Sequence, residues 1–367
     1  MLRLVLQHVK EGMITSRNIY SANGSLLLAK NVVLDRKLIR RLSNMGIDAI
    51  YIKNSLCDIE VEDQVLQEKT RVEAVRITLN TFEELRVKKI LNVDALQDVI
   101  KKMVEDIVNN PTMLIHLTDI RTHDEYTFGH SINVCLIATM IGIKLGFPER
   151  EIKELALGAL LHDVGKMLIP TELLCKSGKL TDDEWEVIQT HSEQGFEILR
   201  KNLYIPLVSA HVAYQHHENF DGLGYPRGIF GDKVHRYAKI TAIADIYDAL
   251  TSERPYRAAM LPHEANEILL GLRGKKLDPE YLDVFLEYAA LYPVGTMVLL
   301  DNGEIGAVVK VYPKLQSRPV IKIFIDAQGN RILADNKLVD LTQELTTFIV
   351  KVYLPEEVAN LSHLVKN

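Results

Sequence analysis

Five histidines and two aspartates between residues 130 and 245 lie on otherwise apolar helical patterns. His130 is followed by Val134, Ile137 and Ile141, which share its helix face, and Tyr126 lies one turn earlier on the same side. Ile152, Leu155, Ala159 and His162 share a second such face, with Asp163, Gly165 and Lys166 directly after. His191 lies on a third, with Trp185, Ile188 and Ile198. His216 and His217 adjoin a turn-rich stretch that runs from Glu218 to Pro226, and Asp245 sits in an apolar run over residues 239–250. A neutral imidazole nitrogen beside an anionic carboxylate is a donor set for hard or borderline divalent metals, and the two oxygens of Asp163 can bridge two ions. Taken singly, each side chain is explained as well by a hydrogen-bonded core position. A lone His-Asp dipeptide also says little, since His123-Asp124 is a second one and is not counted as a ligand pair. Together they are different: burying all seven in one helical block is costly without compensation, and a metal cluster compensates them at once.

The chain around them has 367 residues, room for two or three domains of about 100–200 residues each. It is 47% hydrophobic and 25% charged, an ordinary globular mix that excludes disordered and collagen-like classes. With 43 basic and 49 acidic side chains the net charge is −6. That lacks the basic excess of a general DNA or RNA binder, so an anionic substrate has to be held by local positive charge or by metal ions. Cys57, Cys135 and Cys175 form no CxxC pair, which points to neither a disulfide scaffold nor a structural zinc site and fits a reducing cytosol. No stretch approaches the ~18 apolar residues of a membrane span, and the first residues turn charged at Lys10 and Glu11 without a signal-peptide pattern. The chain reads as soluble and cytoplasmic, with no membrane or nucleic-acid partner.

The elements that must position the seven residues divide the chain into four parts. Residues 1–60 read as a small α+β module: strand-like runs over 14–20 and 25–29 flank the hairpin dipeptide Asn23-Gly24, before a helix over 34–45 and a strand over 48–52. Residues 61–104 read as a charged helical linker with Val72, Val75, Leu79, Phe82 and Leu85 at spacings of three and four, and no sustained heptad. Residues 105–291 read as an all-α block, with Pro148 where a helix begins and Thr181 and Glu184 as a capping box. Residues 292–367 read as a small β-barrel-like module, with strands over 297–300, 306–312, 320–325 and 347–352 and turns at Asp301-Asn302-Gly303 and Ala327-Gln328-Gly329-Asn330.

The central block resembles the HD-GYP family, a branch of the HD metal-dependent phosphohydrolases. The resemblance is carried by His130 in YTFGHSINV, by His162-Asp163-Val164-Gly165-Lys166, by His191, by His216-His217-Glu218 running into Gly224-Tyr225-Pro226, by Asp245 in ADIYDAL, and by Arg254-Pro255-Tyr256-Arg257. It covers about residues 105–270 in family order. It implies an all-α HD-GYP core and hydrolysis of cyclic di-GMP to linear pGpG, GMP or both. It also implies that His130, His162, Asp163 and Asp245 hold one ion and that Asp163 bridges to a second held by His191, His216 and His217. Members with a third ion tend to carry Glu where this chain has Tyr126, so two ions, iron or manganese, are expected. Two adjacent cations hold the phosphate oxygens and lower the pKa of a bridging water, whose hydroxide attacks phosphorus in line. By resemblance Asp163 and Lys166 are catalytic, Lys166 stabilising developing charge or assisting the leaving oxygen, and Arg254, Arg257 and Lys166 contact substrate phosphate. The loop of Gly224, Tyr225 and Pro226 either braces His216 and His217 or docks a GGDEF diguanylate cyclase domain. A second copy of the chain is a further expected partner. Two other readings keep the same site: hydrolysis of another cyclic dinucleotide, such as the hybrid GMP–AMP ring, and binding without turnover.

Overall fold

The computed structural model describes residues 2–20, 26–45, 47, 49–53, 68–88, 91–109, 126–176, 178–252, 259–332 and 337–361. They fall into two compact units. The first combines both ends of the chain. Strand β1 (Leu2–Val5) pairs antiparallel with β4 (Ala49–Ile52), and β2 (Ile19–Tyr20) with β3 (Leu26–Leu28). The tip of that hairpin, Asn23-Gly24, lies outside the described residues. Helix α1 (Arg36–Asn44) begins at residue 36 because Asp35 is its N-cap, its carboxylate accepting the Leu38 N–H at 2.7 Å.

In the same unit β5 (Met297–Leu300), β6 (Ile305–Lys310), β7 (Val320–Ile325), β8 (Leu338–Asp340) and β9 (Ile349–Val352) form one antiparallel sheet in the order β8-β7-β6-β5-β9. The sequence pattern suggests a barrel, but among the described residues β8 and β9 are the two ends of an open sheet and do not pair. The sheet gains cover from the N-terminal segment instead: Leu4, Leu42 and Ile50 lie in one buried cluster with Met297, Ala307 and Ile325.

The second unit is helical. Its elements are α2 (Glu68–Lys88), α3 (Val93–Val108), α4 (Tyr126–Lys144), α5 (Glu149–Leu160), α6 (Thr171–Leu174), α7 (Asp182–Gln189), α8 (His191–Leu199), α9 (Leu207–Gln215), α10 (Arg236–Thr251), α11 (Pro262–Leu272) and α12 (Pro279–Tyr288). Helices α2 and α3 bury Ala74, Phe82, Leu96 and Met103 and pack against α4 and α5, so the stretch that reads as a linker is built into this unit. At its centre α4 packs on α5 and α10, and α5 on α9. Gly158 makes the α5–α9 approach possible, since a Cβ there would lie 2.6 Å from Val212 Cγ2. Pro148 is the N-cap of α5, one residue before the first turn, and Thr181 and Glu184 form both bonds of the capping box on α7. No described helix is long and apolar enough to cross a membrane.

Candidate metal centre

Three of the histidines stand just past the C-terminal ends of helices. The last four carbonyls of a helix lack partners within it, and these three rings use them. His162, beyond α5, donates Nδ1–H to the Ala159 carbonyl at 2.8 Å. His191, beyond α7, donates to the Ile188 carbonyl at 2.7 Å. His216, beyond α9, shares its Nδ1–H between the Val212 and Ala213 carbonyls, both at 3.1 Å. Because a carbonyl only accepts, each Nδ1 carries a proton and each ring turns its Nε2 inward.

Those Nε2 atoms converge on Asp163. Its Oδ1 lies 3.4 Å from His191 Nε2 and 3.8 Å from His216 Nε2. Its Oδ2 lies 3.3 Å from His162 Nε2 and 3.9 Å from His130 Nε2. His130 Nε2 is in turn 3.1 Å from Asp245 Oδ1. The seven residues therefore make two groups, Asp163 with His191, His216 and His217, and His130 with His162 and Asp245; within each, the ligand atoms lie within 4.8 Å of one another. Asp163 directs one oxygen to each group.

Gly165 is what permits this. A Cβ at that position would lie 1.9 Å from the His191 carbonyl oxygen and 2.7 Å from Gly195 N, so only glycine lets the turn after Asp163 press against the start of α8. The loop through Gly224, Tyr225 and Pro226 braces the other side. Glu218, buried, accepts the Arg227 and Ile229 N–H groups at 2.9 and 3.0 Å, and the Tyr225 N–H donates to the His217 carbonyl. The Tyr225 ring stacks on His217 with centroids 4.6 Å apart. A Cβ on Gly224 would meet Asn219 N at 2.3 Å.

These donors fit divalent cations. Ligands sharing one such ion at ~2.1 Å stand roughly 3–4 Å apart, which is the spacing found. His191 Nε2 and His216 Nε2 face each other at 3.5 Å, two lone pairs that repel unless a cation lies between them. His162 Nε2 and Asp163 Oδ1 are buried without a hydrogen bond, a cost that coordination removes. Burial pushes His191 and His216 down and His217 to about 3, which favours the neutral form that can bind a metal. Burial opposes charge on Asp163 as well, yet the Lys166 ammonium, 2.5 Å from Oδ2, and the surrounding imidazoles hold it well below the usual carboxylate range.

Asp248 is a residue the sequence reading does not single out. It is fully buried, and its Oδ2 accepts His130 Nδ1–H at 2.7 Å. Its Oδ1 accepts from Asn133 Nδ2 at 2.8 Å and from Ser252 Oγ at 3.0 Å. Burial works against a charged His130, but its hydrogen bonds to Asp245 and Asp248 outweigh that and raise it to about 10. The available signal is spacing: Asp248 follows Asp245 by three residues on α10, and Asn133 follows His130 by three on α4, so each pair shares a face.

Trp185 corrects an expectation. It is 45% exposed and does not share a continuous inward face with His191, because α7 stops at Gln189 and α8 starts afresh at His191. Arg254 and Arg257, His123-Asp124 and the side chain of Tyr126 lie outside the described residues.

The HD domain model matches residues 102–281, and the model of the KOW domain associated with HD domain matches residues 297–361. The chain is 30% identical over 286 residues to cyclic di-GMP phosphodiesterase PA4108 of Pseudomonas aeruginosa, covering 78% of this chain and 69% of that one. It is 41% identical over 152 residues to the cyclic di-GMP phosphodiesterase response regulator RpfG of Xanthomonas campestris, covering 41% and 40%. To 3'3'-cGAMP-specific phosphodiesterase 2 of Vibrio cholerae it is 33% identical over 209 residues, covering 57% and 37%.

Proposed function

The chain belongs to the HD-GYP family, and on that footing we propose that it is a metal-dependent phosphodiesterase that hydrolyses cyclic di-GMP, to linear pGpG, GMP or both. The observation that carries this reading is the Asp163 carboxylate standing between two groups of inward-facing donors. His130, His162, Asp163 and Asp245 would hold one divalent cation and Asp163, His191, His216 and His217 a second, iron or manganese, which would neutralise phosphodiester charge and acidify a water.

The protein's own groups hold and aim this site. Helix-end carbonyls keep His162, His191 and His216 in the ligating tautomer, and Asp248 does the same for His130. Lys166 is half-buried on Asp163 Oδ2, so its ammonium is placed both to balance the carboxylate and to donate to the oxygen that leaves phosphorus. Arg254 and Arg257 supply guanidinium donors to the substrate phosphates. With Tyr126 where a third ion would need an acid, two ions suffice. The loop of Gly224, Tyr225 and Pro226 stabilises His217 and, with Leu223 exposed beside it, offers a docking point for a GGDEF domain. The enzyme works in the cytoplasm, as a homodimer.

The test is hydrolysis of cyclic di-GMP by protein loaded anaerobically with iron or manganese. Wild type turns the ring over and Asp163→Ala does not; equal rates for the two would overturn the assignment. The 33% identity to a cGAMP-specific relative favours a second reading, the hybrid GMP–AMP ring as substrate. A higher kcat/KM for that ring than for cyclic di-GMP, measured side by side, would establish it.

A further inference from the structure

The metal centre accounts for grip on phosphate, and none of its seven ligands reads a nucleobase. Next to it an aromatic ladder runs outward. The Tyr225 ring is stacked on the ligand His217 at 4.6 Å and lies 6.4 Å from the His191 ring. The Trp185 indole meets Tyr225 at 6.3 Å with the ring planes 80° apart. Trp185 is the single tryptophan of the chain, and it is 45% exposed. Leaving the largest aromatic side chain half in water forgoes burial that its neighbours obtain. Its position is also fixed: the capping box of Thr181 and Glu184 starts α7, Lys176 is paired to Glu184 at 2.6 Å, and α7 leads into the ligand His191.

We propose that Trp185, backed by Tyr225, is the stacking platform for one purine base of the cyclic dinucleotide whose phosphates the metal centre holds. The proposal rests on the phosphodiesterase reading above. A bicyclic indole face matches a bicyclic purine, and base–aromatic stacking is strong while tolerant of which base is presented. The platform thus supplies affinity for a base-bearing ring, and Lys166 and the ions act on its phosphates. Trp185 is a binding residue that contacts the base and takes no part in bond cleavage.

The single tryptophan makes the test direct. Metal-loaded wild type is titrated with a slowly hydrolysed phosphorothioate analogue of cyclic di-GMP while tryptophan emission is recorded, and calorimetry reports binding independently. Trp185→Ala and Trp185→Phe are assayed on cyclic di-GMP. Quenched emission is expected, with KM raised ~10- to 100-fold in Trp185→Ala, kcat held within about threefold, and most of the affinity restored in Trp185→Phe. Both variants change an exposed side chain, and unchanged melting temperatures confirm that they fold. Emission that stays constant while calorimetry shows binding, or a Trp185→Ala KM equal to wild type, would overturn the proposal and leave Trp185 as a contact for a protein partner. Quenching by the analogue in an enzyme that fails to hydrolyse cyclic di-GMP would sustain the stacking platform and remove the phosphodiesterase reading.

Discussion

His130 and the three helix-end histidines reach the same centre by opposite means. His162, His191 and His216 stand where a helix has run out, and free backbone carbonyls orient them. His130 lies within α4, where the backbone carbonyls are already engaged, and its Nδ1 is taken by a carboxylate 118 residues away in sequence. The difference shows in proton affinity: burial pushes His191, His216 and His217 down, and the carboxylates pull His130 up to about 10. The group of Asp163, His191, His216 and His217 is therefore rich in imidazole, and the group of His130, His162 and Asp245 combines a ring held by the main chain, His162, with one held by a side chain, His130. Of His130, His162, His191 and His216, only His130 has behind its Nδ1 a side chain that a single substitution can change.

The largest expected effect comes from removing what both groups share. Asp163→Ala should lower the metal content of both and cut hydrolysis at least ~1,000-fold, read by elemental analysis and by product assay on the same sample. Retention of two ions per chain would break the picture of one carboxylate serving both. Gly165→Ala should strike the helix-end ligands through the backbone: the new Cβ displaces the His191 carbonyl, costing about 3 kcal/mol in chemical denaturation. An unchanged denaturation midpoint would mean that the turn and α8 do not depend on this approach.

Metal removal should follow. Adding manganese to apo protein at about 100 times its dissociation constant should stabilise it by ~2.7 kcal/mol, and a chelator should reverse the shift in melting temperature. A melting temperature indifferent to both would argue that the buried lone pairs of His162 and Asp163 are satisfied in another way. The finest discrimination is Asp248→Asn. It should weaken the ion beside His130 by about 10- to 100-fold and spare the ion beside His191, giving a metal content between one and two ions per chain under limiting metal. Equal weakening of both ions would erase the distinction between the two groups.

Much of this site is legible in the linear chain because each ligand belongs to a short segment whose own periodicity shows it: a histidine on an apolar face, a His-Asp pair before a glycine, two adjacent histidines before a turn. Asp248 is not legible in that way. An aspartate three residues after Asp245 looks like any helix-surface acid until α10 is laid against α4 and its oxygen falls 2.7 Å from His130. Trp185 misleads for the reverse reason: helical spacing carries it inward only if one helix continues through Thr190, and the chain breaks there. The open sheet and the core that Leu4 and Ile50 share with Met297 and Ala307 are equally invisible to periodicity, which reports that a face is apolar and not what covers it.

By itself the sequence determined the donor types and the capping box of Thr181 and Glu184, because those depend on interactions within a few residues. Only the tertiary structure decided which oxygen of Asp163 faces which histidines, which carboxylate stands behind His130, and which aromatic ring stays in water. Those are set by how helices distant in the chain pack against one another, and no local spacing encodes that angle or depth.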